Sequence, residues 1–252
     1  MPGVVRRIPA GLVSAVVALL TWQVVGSVGP LAGDSFATAS EAIFALVALL
    51  GDSQFWLAIF ETLQMAIIGF ALSMVIAVPL GLLIGLSRFS YRSTKFTFDF
   101  FKVIPPIVLI PIAILVIGPS IAMGVALAVF ANVFAVAIQT AYGVRDADPT
   151  LLETMRCYRM NVLQQIRYAR LPSAAAQIAV ATRLAATASL IVAVVAGLVG
   201  GAPGLGRLLA LYQSAGTADR TYAVVLTLGI LGLVTSRLIV RLQRRAVFWS
   251  GR

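Results

Sequence analysis

The sequence predicts an all-α integral membrane helical bundle, and three observations support this fold class. Hydrophobic residues make up 60% of the 252 residues. Charged residues make up only 11%, whereas about a quarter of the residues of soluble domains are charged. The apolar residues are gathered in runs near 20 residues, the length that crosses about 30 Å of hydrocarbon as a helix. We therefore expect residues 1–252 to form a single transmembrane domain.

Six apolar runs are predicted to be transmembrane helices. They extend over Ile8–Val28, Phe60–Leu86, Val103–Ile117, Ser120–Ala141, Ala174–Val199 and Tyr222–Val240. The first run follows Arg6 and Arg7 as a signal peptide would, but it is too long for one and is expected to remain as a span. Pro105, Pro106 and Pro111 remove backbone donors from the third run. That span is therefore expected to be a broken helix inside the bundle, where neighbouring helices satisfy the freed carbonyls.

The basic residues predict the orientation of these spans. Arg207 and Arg220 fall on one side, Arg183 falls within a span, and the other 16 of the 19 Lys and Arg residues fall on the opposite side. Because basic residues accumulate in cytoplasmic loops, both termini are expected in the cytoplasm, with the chain in a bacterial inner membrane. The segment Gly29–Gln54 has no basic residue and is expected outside. Within it, Ala42–Leu50 is too short to span and is predicted to be a helix at the membrane surface.

The composition also excludes several kinds of site. Cys157 is the only cysteine and the chain has no histidine, so an intrachain disulfide and a His or Cys metal cluster are both excluded. The net charge of +10 indicates contact with anionic lipid headgroups rather than with nucleic acid, because the charges belong to the loops of a membrane protein. An intramembrane enzyme is disfavoured, since facing catalytic groups such as Ser with His are missing.

The loop from Tyr142 to Pro172 is too long for a simple turn. Asp148 followed by Pro149 predicts a helix start, because Asp caps free amides and proline suits the first helical position. Apolar residues then recur at spacings of three and four, which predicts an amphipathic element with a basic face; they are Met155, Tyr158, Val162, Ile166 and Ala169. From periodicity alone, a helix resting on anionic lipid remains an equal alternative.

The order of residues in this loop resembles a known signature. The stretch ETMRCYRMNVLQQIRYARLPSAA begins at Glu153 and resembles the cytoplasmic loop of bacterial ABC import permeases. That pattern is Glu-Ala-Ala, three residues, Gly, nine residues, Ile, one residue, Leu-Pro. Glu153 and Leu171-Pro172 match it, whereas Thr154 and Met155 replace the two alanines, Ala169 replaces the Ile, and Arg159 stands at the glycine. A side chain at Arg159 would be costly if the backbone there has a positive φ.

Three further stretches extend the resemblance to permeases for nitrate, sulfonate, taurine and pyrimidine precursors. They are Phe60–Phe89, the proline-marked Lys102–Gly118, and the APGLG stretch Ala202–Gly206. The resemblance implies a type I ABC importer permease fold with a cytoplasmic coupling helix between the fourth and fifth spans, around Arg159–Gln165. The residues that it implies for ATPase coupling are Glu153, Arg156, Arg159, Met160, Asn161, Val162, Leu171 and Pro172.

The resemblance also implies the partners. The chain would be a transport subunit without catalytic residues, and ATP and Mg would be bound by a cytoplasmic ABC ATPase dimer. An external solute-binding protein would deliver the solute. A second permease chain would complete the path; a homodimer is expected, and a heterodimer with a sister permease remains open. An ATP-independent channel or secondary carrier is the alternative function, although the matched broken helices typical of such carriers are not evident.

Polar residues inside the predicted spans are candidates for the translocation path. They are Asn132, Gln139, Arg183, Thr187 and Ser189. For each of these, a hydrogen bond between helices is the alternative, and Arg183 could instead extend towards cytoplasmic headgroups. The family commonly has a Glu late in the fifth span, where this sequence has Gly197. A cationic Arg183 without that acid is compatible with an anionic solute.

Overall fold

The computed structural model describes residues 10–28 and 36–246, and eleven α-helices form most of this part of the chain. They are α1 (Ala10–Val28), α2 (Ala39–Leu49), α3 (Ser53–Leu86), α4 (Arg88–Val103), α5 (Ile110–Ile117), α6 (Ile121–Arg145), α7 (Pro149–Cys157), α8 (Val162–Gln165), α9 (Leu171–Gly200), α10 (Leu205–Ser214) and α11 (Ala218–Ala246). A 3₁₀ turn at Pro106–Leu109 precedes α5, and a π-helical turn at Ile166–Arg170 joins α8 to α9. The predicted all-α class is confirmed.

Four helical stretches are long and apolar enough to cross a membrane. They are Ser53–Leu86, Ile121–Arg145, Val162–Gly200 and Ala218–Gln243. A fifth crossing results if α4 and Pro106–Ile117 are taken together, although the two are bent by 80°. The first predicted span is seen as α1 from Ala10 onward, because Ile8 and Pro9 lie outside the described residues. The count of six spans stays a prediction.

Capping side chains extend several helices beyond the apolar runs that predicted them. The helix α3 begins seven residues before Phe60, where Asp52 Oδ1 accepts a hydrogen bond from Gln54 N at 2.9 Å. The predicted short helix at Ala42–Leu50 is seen as α2, Ala39–Leu49, and its place outside the membrane stays a prediction. The helix α2 begins with a capping box in which Thr38 N donates to Glu41 Oε2 at 2.8 Å. A cap satisfies free amides before hydropathy rises, so hydropathy alone places these starts too late.

The third predicted span, Val103–Ile117, is seen as the 3₁₀ turn and α5, which follow the end of α4 at Val103. Residues 88–103 form a separate helix, α4, which runs antiparallel to α6, as three pairs of rings show. Tyr91 lies against Tyr142, Phe98 against Phe134, and Phe101 against Phe130, with centroids 5.3 to 6.4 Å apart. The sequence prediction missed this helix because Arg88, Arg92, Lys95, Asp99 and Lys102 lower its hydropathy. The prolines then break the chain between α4 and α5, as expected.

The centre of the bundle is formed by α3, α6 and α9, which approach one another closely at glycines. A Cβ atom placed on Gly81 would lie 2.6 Å from Thr140 Cβ, and one on Gly143 would lie 2.8 Å from Ala174 Cα. Met65, Met123 and Leu190 fill the space between these helices and are buried. Small residues at helix contacts are typical of membrane bundles, where packing rather than the hydrophobic effect drives association.

The APGLG stretch locks α10 against α3 and α9. Gly204 has a φ of 122°, a backbone conformation that favours glycine. The next residue, Leu205, donates its N–H to Thr62 Oγ1 at 2.8 Å. Gly206 faces the backbone of α9, where an added Cβ would overlap Val194 O and lie 2.7 Å from Leu198 N. The glycines of this stretch therefore permit contacts that no other residue allows.

Candidate functional site

The helix α7 starts where the sequence predicts. Asp148 Oδ1 accepts a hydrogen bond from Thr150 N at 2.8 Å, and Pro149 occupies the first helical position. The amphipathic element is not one continuous helix, however, because α7 ends at Cys157 and α8 begins only at Val162. As a result Met155 and Ala169 are buried, whereas Tyr158 and Val162 are 79% and 66% exposed. The predicted single apolar face is thus wrong for its two central residues.

The turn between α7 and α8 depends on Arg159. In the described part of the chain, Arg159 is the one non-glycine residue with a positive φ, at 53°. Its N–H donates to Arg156 O at 2.9 Å, and the N–H of Met160 donates to Met155 O at 2.9 Å. These two bonds define a Schellman motif, in which the left-handed position is usually glycine. The family glycine thus corresponds to this helix-ending residue, and the expected cost of a side chain there is present.

The helix α8 is continuous with α9. Asn161 and Gln164 form a capping box with two bonds of 2.8 Å, which starts α8. The chain then passes through the π-helical turn, where the N–H of Leu171 donates to Ile166 O. Pro172 lies just after this turn, and a wider winding accommodates a residue that cannot make the regular bond. The coupling segment and the fifth predicted span are consequently one helix, Val162–Gly200.

The tip of this segment presents side chains outward. Tyr158, Val162 and Leu163 are large apolar residues with exposed fractions of 66% or more. The residues predicted for ATPase coupling are exposed apart from the half-buried Met160; they are Glu153, Arg156, Arg159, Asn161, Val162, Leu171 and Pro172. The buried Met155 and Ala169 hold the segment to the rest of the chain. An exposed apolar tip on a capped, continuous helix is suited to docking on another protein.

Positive charge is concentrated beside the tip. Burial is the largest cause that lowers the pKa of Arg170, and the charges of Arg156 and Arg145 lower it further. Arg170 lies before the predicted span Ala174–Val199, in a helix whose 39 residues, Val162–Gly200, measure about 58 Å, roughly twice the bilayer core. The guanidinium of Arg145 lies 4.3 Å above the Tyr91 ring. Within the described residues, the one ion pair is Lys102–Asp99, so these three arginines face no carboxylate there.

Replacing Arg159 by glycine is expected to raise the free energy of unfolding by about 1 kcal/mol, because a left-handed residue with a Cβ costs roughly 1–2 kcal/mol. The measurement is thermal unfolding of the purified protein in detergent. The control is Arg159→Ala, which removes the charge but keeps the Cβ and should give no gain. An equal gain in both variants would attribute the effect to charge rather than to the backbone.

Three of the five predicted path residues take part in two hydrogen bonds between α6 and α9. Asn132 Nδ2 donates to Ser189 Oγ at 2.8 Å, and both residues are buried. Gln139 Nε2 donates to Gln177 Oε1 at 2.6 Å at a half-buried position. For Asn132 and Ser189 the geometry favours the alternative of an interhelical bond, since Asn132 Nδ2 joins α6 to α9 through Ser189 and donates within α6 to Ala128 O at 2.9 Å.

Arg183 and Thr187 lie on an exposed face of α9. Arg183 Nη2 donates to Gln243 Oε1 at 3.1 Å, which ties α9 to α11, and Thr187 Oγ1 donates to Arg183 O. Gly197 has a packing role, because a Cβ there would lie 2.9 Å from Arg207 N. In this packing α10 occupies the space that the family's Glu side chain would need. The lack of that acid therefore has a structural reason independent of solute charge.

Two adjoining cavities lie along α6 and α9 and share Lys102, Ala131 and Ala188. One, of about 260 Å³, is also lined by Asn132 and Gln139, and the other, of about 240 Å³, by Phe101 and Ile191. We call this pair of cavities the α6–α9 groove. Larger cavities, of about 570 to 710 Å³, lie elsewhere around α11 and contain none of the predicted path residues. Lys102 was missed as a groove residue because it was assigned to a cytoplasmic loop.

No cluster of three His, Cys, Asp or Glu residues that could hold a metal ion occurs within residues 10–28 and 36–246. The candidate site consists of the exposed tip, the α6–α9 groove and the contacts between helices. Both the tip and the groove involve the continuous α8–α9 helix. That helix joins the two parts of the site into one mechanical element.

The sequence matches a family model over residues 77–247, which is more than half of the chain. The model is that of the binding-protein-dependent transport system inner membrane component. The chain belongs to this family. It is a multi-pass inner membrane protein and the permease subunit of an ATP-binding cassette importer.

Several relatives have names that match the predicted subfamily. A Bacillus subtilis permease named for aliphatic sulfonates transport, SsuC, is 26% identical over 95% of this permease and 87% of its own length. The nitrate import permease protein NrtB of Synechocystis is 23% identical over 78% and 71% of the two chains. The bicarbonate transport system permease protein CmpB of Synechococcus elongatus is 27% identical over 77% and 70%.

Solved structures confirm the fold. A chain of the inward-facing MetNI methionine ABC transporter has a TM-score of 0.68 and 22% identity, covering 77% of this permease and 95% of that chain. An amino acid ABC transporter with histidines has a TM-score of 0.65 and 17% identity, covering 80% and 97%. The bundle described above is therefore the type I importer permease fold.

Proposed function

We propose that this permease forms the translocation path for a small polar anion and that ATP hydrolysis in a separate subunit drives the passage. The observation that carries the proposal is the continuity of α8 with α9. One rigid helix joins the exposed tip at Val162 to the groove at Ala188. A displacement of the tip would therefore move the wall of the groove, which is the requirement for alternating access.

The tip is the proposed docking surface for the ATPase subunit. Tyr158, Val162 and Leu163 supply an exposed apolar contact, and Arg145, Arg156 and Arg170 supply positive charge. We expect an apolar groove with acidic residues on the ATPase, because complementary charge steers and orients association. ATP and Mg would be bound by that partner, and the permease itself would contribute no catalytic residue.

The proposed solute class rests on the relatives. The names of SsuC, NrtB and CmpB refer to sulfonates, nitrate and bicarbonate, and all three are oxygen-bearing anions. An external binding protein would deliver such an anion to the face opposite the tip. With the tip in the cytoplasm, both termini would also be cytoplasmic in the predicted six-span arrangement.

The proposed assembly contains two permease chains. The α6–α9 groove is open, and large apolar side chains that line it, including Leu184 and Ile191, are 65% and 58% exposed. A second permease chain would cover this face and close the path. We propose a homodimer, and isolation of a complex with two different permeases in equal amounts would contradict it.

Reconstitution tests the function. The permease is placed in liposomes with its ATPase and binding protein, and uptake of labelled nitrate, methanesulfonate and bicarbonate is measured with and without ATP. We expect at least one anion to accumulate only when ATP is present on the tip side. Equal uptake without nucleotide would contradict the importer function and favour a channel or secondary carrier.

A further inference from the structure

We propose that Lys102 is an anion-binding residue inside the path and that the α6–α9 groove is its subsite. This inference rests on the proposed function and names a residue that recognises the solute. Lys102 lines both cavities of the groove, together with Ala131 and Ala188. Ala131 lies 14 residues before Arg145, the end of α6, or about 21 Å along the helix axis.

The backbone of Lys102 lies beside the middle of α6, which is an unusual place for a lysine. Phe101, its neighbour in the chain, stacks on Phe134 of α6 with ring centroids 5.0 Å apart. The backbone of Lys102 is thus held beside the middle of a predicted span rather than in a loop. The side chain of Lys102 lines the cavity that extends along α6 to Gln139 and Tyr142, and charged residues within membrane bundles commonly face a pathway or a water-filled cavity.

The ammonium group has capacity for a ligand. Asp99 Oδ1 accepts one hydrogen bond from Lys102 Nζ at 2.5 Å. A lysine has three N–H donors, so two remain, and 36% of the side chain is exposed. Gln139 lines the same groove and donates one of its two amide N–H groups to Gln177. Three donors from α4 and α6 are therefore available in one cavity, which suits the oxygens of a small anion.

Asp99 has a defined role in this arrangement. It neutralises Lys102 when the groove is empty, which lowers the cost of keeping a charge beside the groove. It also repels a bound anion, so that the anion is held loosely and can leave. Passage through a membrane requires a site that is favourable enough to enter and weak enough to release its ligand. Asp99→Asn is accordingly expected to strengthen anion binding, whereas Lys102→Met abolishes it.

The test measures anion protection of a cysteine placed in the groove. The complete importer complex is prepared with Ala188→Cys in a Cys157→Ser background, because Cys157 is exposed. The rate of modification by an anionic methanethiosulfonate reagent is compared with that of a cationic one, with and without nitrate or methanesulfonate. We expect Lys102→Met to lower the anionic-to-cationic rate ratio roughly tenfold, as loss of charge from a cleft does, and to remove protection by the added anions.

Two matched variants separate charge from folding. Lys95→Met removes a lysine seven residues earlier, on the same face of α4 but not among the groove residues, and should leave ratio and protection unchanged. Lys102→Arg keeps the charge and should preserve both. Protection that persists in Lys102→Met, or that is lost equally in Lys95→Met, would overturn the proposal.

The cysteine measurement does not depend on transport. Protection by nitrate without ATP-dependent uptake would support the anion subsite and contradict the importer function. ATP-dependent uptake without any anion protection at Ala188→Cys would support the function and overturn the subsite. The two proposals can therefore fail separately.

Discussion

Replacing Ile166 by proline is expected to abolish solute-stimulated ATP hydrolysis of the reconstituted importer while its basal ATPase activity persists. The N–H of Ile166 donates to the carbonyls of Val162 and Leu163, and proline removes that donor. Its ring would also collide with the carbonyl four residues earlier, and it disfavours the helical conformation of Gln165. The cost is about 3 kcal/mol or more. The helix would break between the tip and α9, so motion of the tip would no longer reach the groove.

The matched control is Ile166→Ala. Alanine shortens the same side chain but keeps the N–H that donates to the carbonyls of Val162 and Leu163. Alanine also has a high helix propensity, so Ile166→Ala should retain most of the stimulation. The measurement is ATPase rate with and without solute-loaded binding protein. Normal stimulation in Ile166→Pro, or an equal loss in both variants, would contradict coupling through the continuous helix.

Replacing Gly206 by alanine is expected to cause the largest loss of stability among single-methyl substitutions in this permease. The added Cβ would overlap Val194 O and lie 2.7 Å from Leu198 N. Both neighbours are backbone atoms of α9, which cannot rotate away as a side chain can. Overpacking typically costs about 1–3 kcal/mol, and here α10 must move bodily away from α9. We expect a lower unfolding temperature in detergent and a smaller folded fraction on size-exclusion chromatography.

Gly229→Ala provides the control for that substitution. Gly229 lies within α11, and no atom of the described residues lies within 4 Å of an added Cβ there. Alanine also has a higher helix propensity than glycine, by about 1 kcal/mol. The unfolding temperature of Gly229→Ala should therefore equal or exceed that of the unchanged protein. An unchanged unfolding temperature in Gly206→Ala would show that the α9–α10 contact is looser than described.

Most of the apolar helices and the turn at Arg159 were predictable because they depend on neighbouring residues. Asp148-Pro149 specifies a helix start through its own side chain and ring, and the spacing from Glu153 to Pro172 placed Arg159 at the position where the backbone is left-handed. The break in the amphipathic element was not predicted, since Tyr158 and Val162 keep a helical spacing although the helix ends between them. Periodicity shows which side chains would share a face of a helix, but it does not show whether that helix is continuous.

The packing of α4 and the place of Lys102 were not predictable from local sequence. Hydropathy excluded α4 from the membrane because Arg88, Arg92 and Lys95 lower its average, yet Phe98 and Phe101 pack it against α6. The α6–α9 groove joins Lys102 to residues about 30 and 86 positions away in the chain. A short window of sequence does not include both Lys102 and the residues that face it across the groove. Local sequence therefore cannot distinguish a polar residue that lines a groove from a polar residue in a loop.

Chain composition and local pattern were sufficient for the membrane class, most helices and the coupling segment, because apolar length, caps and proline act over a few residues. They were insufficient for the contact of Gly206 with Val194, the role of Gly197, and the place of Lys102, because each depends on the close approach of helices that are distant in the chain. In the tertiary structure Gly197, which stands where the family commonly has a Glu, lies at a close contact between α9 and α10. Tertiary packing also moved a lysine from a predicted loop to the wall of the groove.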